Sequence, residues 1–313
     1  MGASRAAIQT HNLTKVYAGN KPALDSLNLT VQPGEIFGYL GPNGAGKTTT
    51  IRLLLDLIRP TVGSAAIFGM DVNRDSVAVR QRIGYLPGEL NLWDRLTALQ
   101  IIQYIGRLRG DVDMPYVNQL AERLQFDLTK KVRSYSTGNK RKLGLILALM
   151  NKPDLLILDE PSSGLDPLMQ QTFHQLMQEA RDQGRTVFLS SHVLSEVQAI
   201  CDRVGILRDG KLQAVERVEH LMKADFRHVT LRFRDAIAAN VLASVPGVSD
   251  VNVDGRRARL QLRGDFDPLL RAVSPYYVEN ITTQEPTLEE VFLAYYGEQP
   301  VNNHTRTNET GVR

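Results

Sequence analysis

The apolar run Glu35–Leu40 passes without a break into Gly41, Pro42, Asn43, Gly44, Ala45, Gly46, Lys47 and Thr48, and the stretch Thr49–Ile58 then reads as an apolar helix. A strand, a glycine-rich turn of the form G-x-x-x-x-G-K-T and a helix, in that order, admit few architectures. Glycines let main-chain N–H groups approach phosphate oxygens, and the helix N-terminus adds the positive end of its dipole. Lys47 is placed to reach β and γ phosphates, and Thr48 offers a hydroxyl to Mg²⁺, with Thr49 beside them among the cofactor-binding positions. An ordinary strand-to-helix turn is the plainer alternative; the Lys-Thr pair at the required spacing argues against it.

The rest of the first two thirds supplies the context this motif needs. From Ile8 to about Leu221, the short apolar runs EIFGYL, RIGYL, DLLILD, RTVFLSS and DRVGIL alternate with longer helical patterns, an α/β rhythm. Runs this short and this rich in Ile, Leu and Val suit strands covered on both faces, so a largely parallel sheet is expected. At 313 residues the chain is long for one domain. A turn at Asp209-Gly210 and a charged connecting helix, VERVEHLMKADF, put the boundary near residue 222. Beyond it HVTLRFR, AIAANVLASV, VSDVNV, RARLQLR, DFDPLLRAV and YVENITT read as strand, helix, strand, strand, helix and strand, with Asp254-Gly255 as the hairpin turn. A capping box of Thr287 and Glu290 opens a last helix, LEEVFLAYY, stopped by Gly297. The expected division is 1–222, a small α+β domain of βαββαβ type at 223–297, and a disordered tail at 298–313.

Composition removes several function classes. The longest stretch without Asp, Glu, Lys or Arg is the 14 residues Ala236–Ser249, too short to span a bilayer. The opening residues hold no apolar run suited to a secretory signal, so the chain is expected in the cytoplasm. Net charge is +3, with no Lys/Arg stripe interleaved with aromatics, and no nucleic-acid partner is expected. Cys201 is the single cysteine, which excludes an intrachain disulfide.

Downstream, the buried-type run Leu155–Leu158 delivers Asp159 and Glu160 to the carboxyl end of a strand, where open α/β sheets bind ligands. Asp159 suits a Mg²⁺ role, and Glu160 can polarise a water that attacks the γ phosphorus in line. Tyr135-Ser136-Thr137-Gly138-Asn139 lies between the two motifs, ahead of Lys140-Arg141-Lys142 and an apolar helix. Ser163-Gly164-Leu165-Asp166 and VFLSSHVLSEV follow the second.

This order of Walker A, signature loop, Walker B, D-loop and switch histidine resembles the ATP-binding subunit of an ABC transporter over about 210 residues. The resemblance implies a P-loop NTPase domain of ABC type with a helical signature subdomain, binding ATP and Mg²⁺. It further implies a head-to-tail homodimer in which Ser136 and Gly138 touch the γ phosphate bound by the other copy. His192 would be the switch histidine that steadies the attacking water. Tyr17 sits where the family has an aromatic stacked on adenine, and Asp166 would face the opposite subunit, while also suiting a cap on the helix that begins at Pro167.

Two departures stand out. Where the family has a Gln after a strand and a Pro, this chain reads Pro87-Gly88-Glu89, leaving open whether Glu89 replaces it. In the signature loop Thr137 and Asn139 stand in for Gly and Gln. The resemblance implies a partner, an integral membrane permease, and hence a place on the cytoplasmic face of the membrane. The C-terminal extension is similar to that of drug-resistance and antibiotic-export ATPases. A soluble ABC-type ATPase acting on ribosomes or DNA is the rival reading; the lone P-loop and the absence of sustained heptads argue against it. Trp93, the sole tryptophan, is expected either in the core or at the permease contact.

Overall fold

In the computed structural model, residues 6–19, 21–110, 112–222 and 226–284 are described, the side chains of 221 and 222 apart. The chain divides into two compact units, Met1–Glu219 and His220–Arg313.

The first unit is built on a six-stranded sheet, ordered Lys211–Arg217, Arg203–Arg208, Ile36–Leu40, Thr186–Ser191, Leu155–Asp159, Ile83–Leu86. All neighbours run parallel except the edge pair formed by Lys211–Arg217 and Arg203–Arg208. Each of the apolar runs read as a strand lies in this sheet. Ile36–Leu40, Leu155–Asp159 and Thr186–Ser191 are buried at every position, which is why they are continuous rather than alternating in hydrophobicity. Phe37 stacks on Phe188 with ring centroids 5.9 Å apart, and Tyr39 leans on the same ring at 5.3 Å. Burying one such side chain contributes roughly 2 kcal/mol. Desolvation pushes the Tyr39 phenol well above its ordinary value; its hydroxyl is 3.2 Å from Thr50 Oγ1 and ties the first helix, Lys47–Leu54, to the strand it follows.

Strand register fixes where function can sit. Leu40 lies opposite Ser191, and Asp159 opposite Ser190, so these strands end at one edge of the sheet. The loops that leave there begin with Gly41, Glu160 and His192. Three helices, Ala98–Arg109, Met114–Arg123 and Thr137–Leu149, lie in sequence between the strands Ile83–Leu86 and Leu155–Asp159. The first opens with a capping box of Thr97 and Gln100.

A second layer had no clear sequence signal. Pro22–Leu27, Ile8–Val16, Val62–Ile67 and Met70–Asp71 form an antiparallel sheet, with Thr30–Val31 also paired to Ile8–Val16. Register shifts fall between Leu13 and Lys15 and between His11 and Thr14, and Asn12 and Ser26 have positive φ. Such bulges break the period-two alternation from which a half-buried strand is read.

The second unit has the expected strand and helix order. Its sheet is antiparallel, ordered Val248–Asp254, Arg257–Arg263, Phe226–Phe233, Val278–Gln284, and the helices Ala239–Ala243 and Asp267–Val273 contribute Leu242, Leu269 and Val273 to a core with Val229, Leu231 and Leu260. The hairpin turn is offset by one from the expected dipeptide: Asp254 pairs Arg257, and Gly255 with φ 56° opens the loop.

Several helices are shorter than their sequence patterns: the one after the glycine-rich turn starts at Lys47 and ends at Leu54, short of Ile58. VERVEHLMKADF gives Val215–Arg217 to the edge strand, because Val215 pairs Gly205 there, and only Val218–Met222 is helical before residue 223. In AIAANVLASV the helix is confined to Ala239–Ala243. The helix LEEVFLAYY, its capping box and the tail at 298–313 lie outside the described residues.

Candidate active site

The glycine-rich turn folds as its sequence demands. Gly44 and Gly46 have φ of 82° and 109°, a region closed to most side chains, and a Cβ on Gly46 would stand 2.5 Å from the Ala23 carbonyl. Gly46 caps the helix Lys47–Leu54 without any side-chain acceptor, so the first N–H groups of the helix keep their capacity to bind an anion. From below, Gly210 N donates to Ala45 O at 3.0 Å, and Gly41 N donates to Ser191 O at 3.3 Å. Lys47 is only 6% exposed. Its Nζ donates to Gly41 O at 2.6 Å and lies 3.4 Å from Glu160 Oε1.

Around this ammonium the acidic strand end is held from several sides. Asp159 is 2% exposed; Thr48 Oγ1 donates to its Oδ2 at 3.0 Å, and Ser190 Oγ donates to its Oδ1. Glu160 takes the left-handed conformation, φ 50°, rare for a side chain with a Cβ. Its N–H is directed at the carbonyl and hydroxyl of Ser190, 3.2 Å from each. Its carboxylate is shared: Oε1 faces Lys47, and Oε2 meets His192 Nδ1 at 2.7 Å. A cavity of about 240 Å³ is lined by Pro42, Asn43, Gly44, Gly46, Lys47, Thr48, Thr49, Asp159 and Glu160, joined by Ala23 and Gly88.

An adjoining cavity of about 390 Å³ is bounded by Thr48, Asp159, Arg52, Tyr85 and the turn Pro87–Glu89 with Asn91. Glu89 is exposed there, and a Cβ on Gly88 would come within 3.3 Å of Asp159 Oδ2. Burial, reinforced by the Asp159 charge, raises the Tyr85 phenol. A wider hollow, about 550 Å³, lies on the sheet of the second unit among His228, Thr230, Arg257 and Arg259, and has no glycine-rich turn or helix start at its wall.

The structure therefore brings together Lys47, Thr48, Asp159, Glu160 and His192. Pro42, Asn43, Gly44, Gly46 and Thr49 line the cavity as expected, whereas Ser136, Gly138, Asp166 and Tyr17 lie outside that cavity of their own chain. Ser136 is exposed and caps the helix Thr137–Leu149, accepting from Asn139 N at 3.3 Å. Gly138 packs so closely on Gly164 that a Cβ would be 2.7 Å from its carbonyl. Asp166 caps the helix Pro167–Asp182, accepting from Met169 N at 2.9 Å. Tyr17, beyond the strand Ile8–Val16, is 45% exposed, with Lys15 Nζ 5.4 Å from its ring centre. Trp93 is 51% exposed and stands edge-on to Tyr104 at 5.4 Å, which removes the core alternative for it.

Sequence reasoning missed Ser190 and Arg141. Ser190 supports both carboxylate residues, and its signal was its pairing position in the parallel register, invisible before the strands are aligned. Arg141 is 4% exposed and contacts the carbonyls of Asp159 and Glu160. In sequence it stood in the run Lys140-Arg141-Lys142, which reads as a solvated face.

The sequence pattern of the family described as ABC transporter matches residues 24–163. The bacitracin transport ATP-binding protein BcrA of Bacillus licheniformis is 39% identical over 308 residues, covering 93% of this chain and 97% of the relative. BcrA of Enterococcus faecalis is 32% identical over 300 residues, covering 93% and 96%. A solved structure of an ATP-binding subunit of an ABC transporter superposes with a TM-score of 0.64 at 27% identity, covering 69% of this chain and 92% of that one.

Proposed function

The chain belongs to the ABC transporter family of ATP-binding subunits, and from that premise we propose that two head-to-tail copies hydrolyse ATP to power a separate membrane permease that exports an antibiotic or a similarly lipophilic compound. The observation behind this reading is the convergence of Lys47, Thr48, Asp159, Glu160 and His192 within contact distance at one sheet edge. Residues 1–222 form the ATP-binding domain in this reading, and 223–297 an accessory domain.

The chemistry follows from those contacts. Lys47 and the N–H groups of Gly44–Thr49 neutralise the phosphates, with Lys47 exchanging its Gly41 carbonyl for phosphate oxygen. Tyr17 offers a face to adenine. Ser136 and Gly138, at the start of a helix, complete the cage around the nucleotide of the other copy, and Asp166 lies near that boundary. Glu160 takes the proton of the attacking water as its oxygen bonds to the γ phosphorus and the bond to the β-phosphate oxygen breaks, giving ADP and phosphate. His192 fixes the rotation of the Glu160 carboxylate through Nδ1.

Magnesium fits the donors present. Thr48 and Asp159 already touch, 3.0 Å apart, and both offer hard oxygens. Among the described residues no group of three or more His, Cys, Asp or Glu side chains is arranged to hold a metal. Thr48 and Asp159 would hold the ion, and when bound it would supply positive charge against the charge that develops on the phosphates. Glu89 borders the same cavity as Thr48 and Asp159 and would lend its carboxylate to the ion in the place of the absent Gln. Glu89→Ala is expected to raise the Mg²⁺ concentration for half-maximal ATPase about threefold to tenfold, roughly the net worth of one ordinary hydrogen bond. An unshifted Mg²⁺ titration would exclude Glu89 from the metal's surroundings.

No helix among the described residues is long and apolar enough to cross a membrane. The exposed Trp93, Tyr104 and Leu108, beyond the turn at Pro87, offer the permease an apolar surface. Export is tested in inverted membrane vesicles from cells that make the chain together with a multi-span permease. ATP should drive accumulation of labelled bacitracin, and accumulation indifferent to ATP would overturn the reading.

A further inference from the structure

Arg141 is a buried charge that the chemistry above does not use. A guanidinium has five N–H donors in a rigid fork. Here every one meets a main-chain carbonyl: Nε donates to Pro161 O at 3.2 Å, Nη1 to Pro87 O at 2.6 Å and Gly88 O at 3.1 Å, Nη2 to Asp159 O at 2.6 Å and to Glu160 O. One side chain thus spans the turn beside the metal donors and the end of the strand that presents Glu160.

What it holds is a conformation that does not hold itself. The left-handed φ of Glu160 is strained for a side chain with a Cβ and persists only where surrounding contacts impose it. Ser190 fixes the N–H of Glu160, and Arg141 fixes its carbonyl. Between them they aim the carboxylate at Lys47 and His192. At Gly88 no side chain is present to anchor the turn, so the carbonyls bound by Arg141 do so.

The root of this fork lies in the helix Thr137–Leu149, whose exposed N-cap is Ser136. Five residues of helix rise about 7 Å, so Ser136 and Arg141 move as one rigid piece. We propose that Arg141 is a positioning residue that transmits displacement of this helix, engaged at Ser136 by nucleotide on the other copy, to the main chain of Glu160 and of Pro87–Gly88, so that occupancy of one ATP site sets the hydrolytic geometry of the other. The inference rests on the head-to-tail dimer proposed above. A lysine at 141 keeps the charge but cannot span these carbonyls with a planar fork.

The test uses full-length Arg141→Lys and Arg141→Gln with ATPase rates measured against ATP concentration. Affinity for a fluorescent ATP analogue is expected to stay within about twofold, while kcat falls at least about tenfold with KM little changed, and the Hill coefficient drops from near two to one. The lysine is expected not to rescue. Unchanged kcat and Hill coefficient would overturn the proposal, and so would a lowered kcat with cooperativity intact, which marks a static support. Hydrogen exchange on the Glu160→Gln chain needs no change at 141: ATP should alter protection of peptides covering Ser136–Arg141 and Pro87–Gly88 together, and a response of one without the other contradicts the coupling. Dimerisation of that chain on ATP separates the layers. A dimer with non-cooperative native kinetics removes only the coupling, whereas a persistent monomer removes the reading beneath it.

Discussion

Lys47→Ala is expected to weaken ATP binding by more than about 100-fold and to bring hydrolysis down to background. Lys47 Nζ is buried, bound to Gly41 O at 2.6 Å and 3.4 Å from the Glu160 carboxylate. Removing one partner of a buried charge pair costs roughly 3–5 kcal/mol, and the phosphate chain adds negative charge to a wall already carrying Asp159 and Glu160. At about 1.4 kcal/mol per decade, even the lower bound gives more than a hundredfold in Kd. Isothermal titration with ATP provides the measurement, with unfolding temperature as the control for folding. Retention of native affinity would remove Lys47 from the phosphate contacts.

The second large effect belongs to Glu160→Gln, where the turnover number should fall about 10³-fold while ATP affinity is retained, the usual span for loss of a general base. Glutamine preserves the size of the side chain and a hydrogen-bond partner for His192, now 2.7 Å from the carboxylate, but cannot accept the water's proton. The substitution also takes away the carboxylate that faces Lys47, freeing the ammonium for phosphate. Affinity should therefore hold or rise. Single-turnover hydrolysis under saturating Mg-ATP reads the chemical step, and a rate within about threefold of native would exclude Glu160 as the base.

How much of this was legible depended on whether a residue's meaning is local. The parallel strands were readable because full burial writes itself as an unbroken apolar run, as in Leu155–Leu158. Lys47, Thr48, Asp159 and Glu160 were readable because each ends or follows a strand, and strand ends gather at one edge; His192 was placed by the family resemblance. The antiparallel layer around Ile8–Val16 was not, since its bulges disrupt alternation. Ser190 gains its role only from lying opposite Asp159 across two strands. Arg141 looks like any basic residue between Lys140 and Lys142 until the helix turns it toward the carbonyls of residues 87, 88, 159, 160 and 161. Trp93 shows the converse, a residue whose chemistry favours burial yet which lies at the surface beside Tyr104.

The mass of the Glu160→Gln chain in solution with saturating Mg-ATP decides whether the nucleotide is shared between copies. Light scattering on the eluting species should give twice the chain mass of 34.9 kDa with ATP and the single mass without it. A species that remains at 34.9 kDa with ATP bound, alone and alongside the proposed permease, would contradict the shared site and everything assigned to Ser136, Gly138 and Arg141.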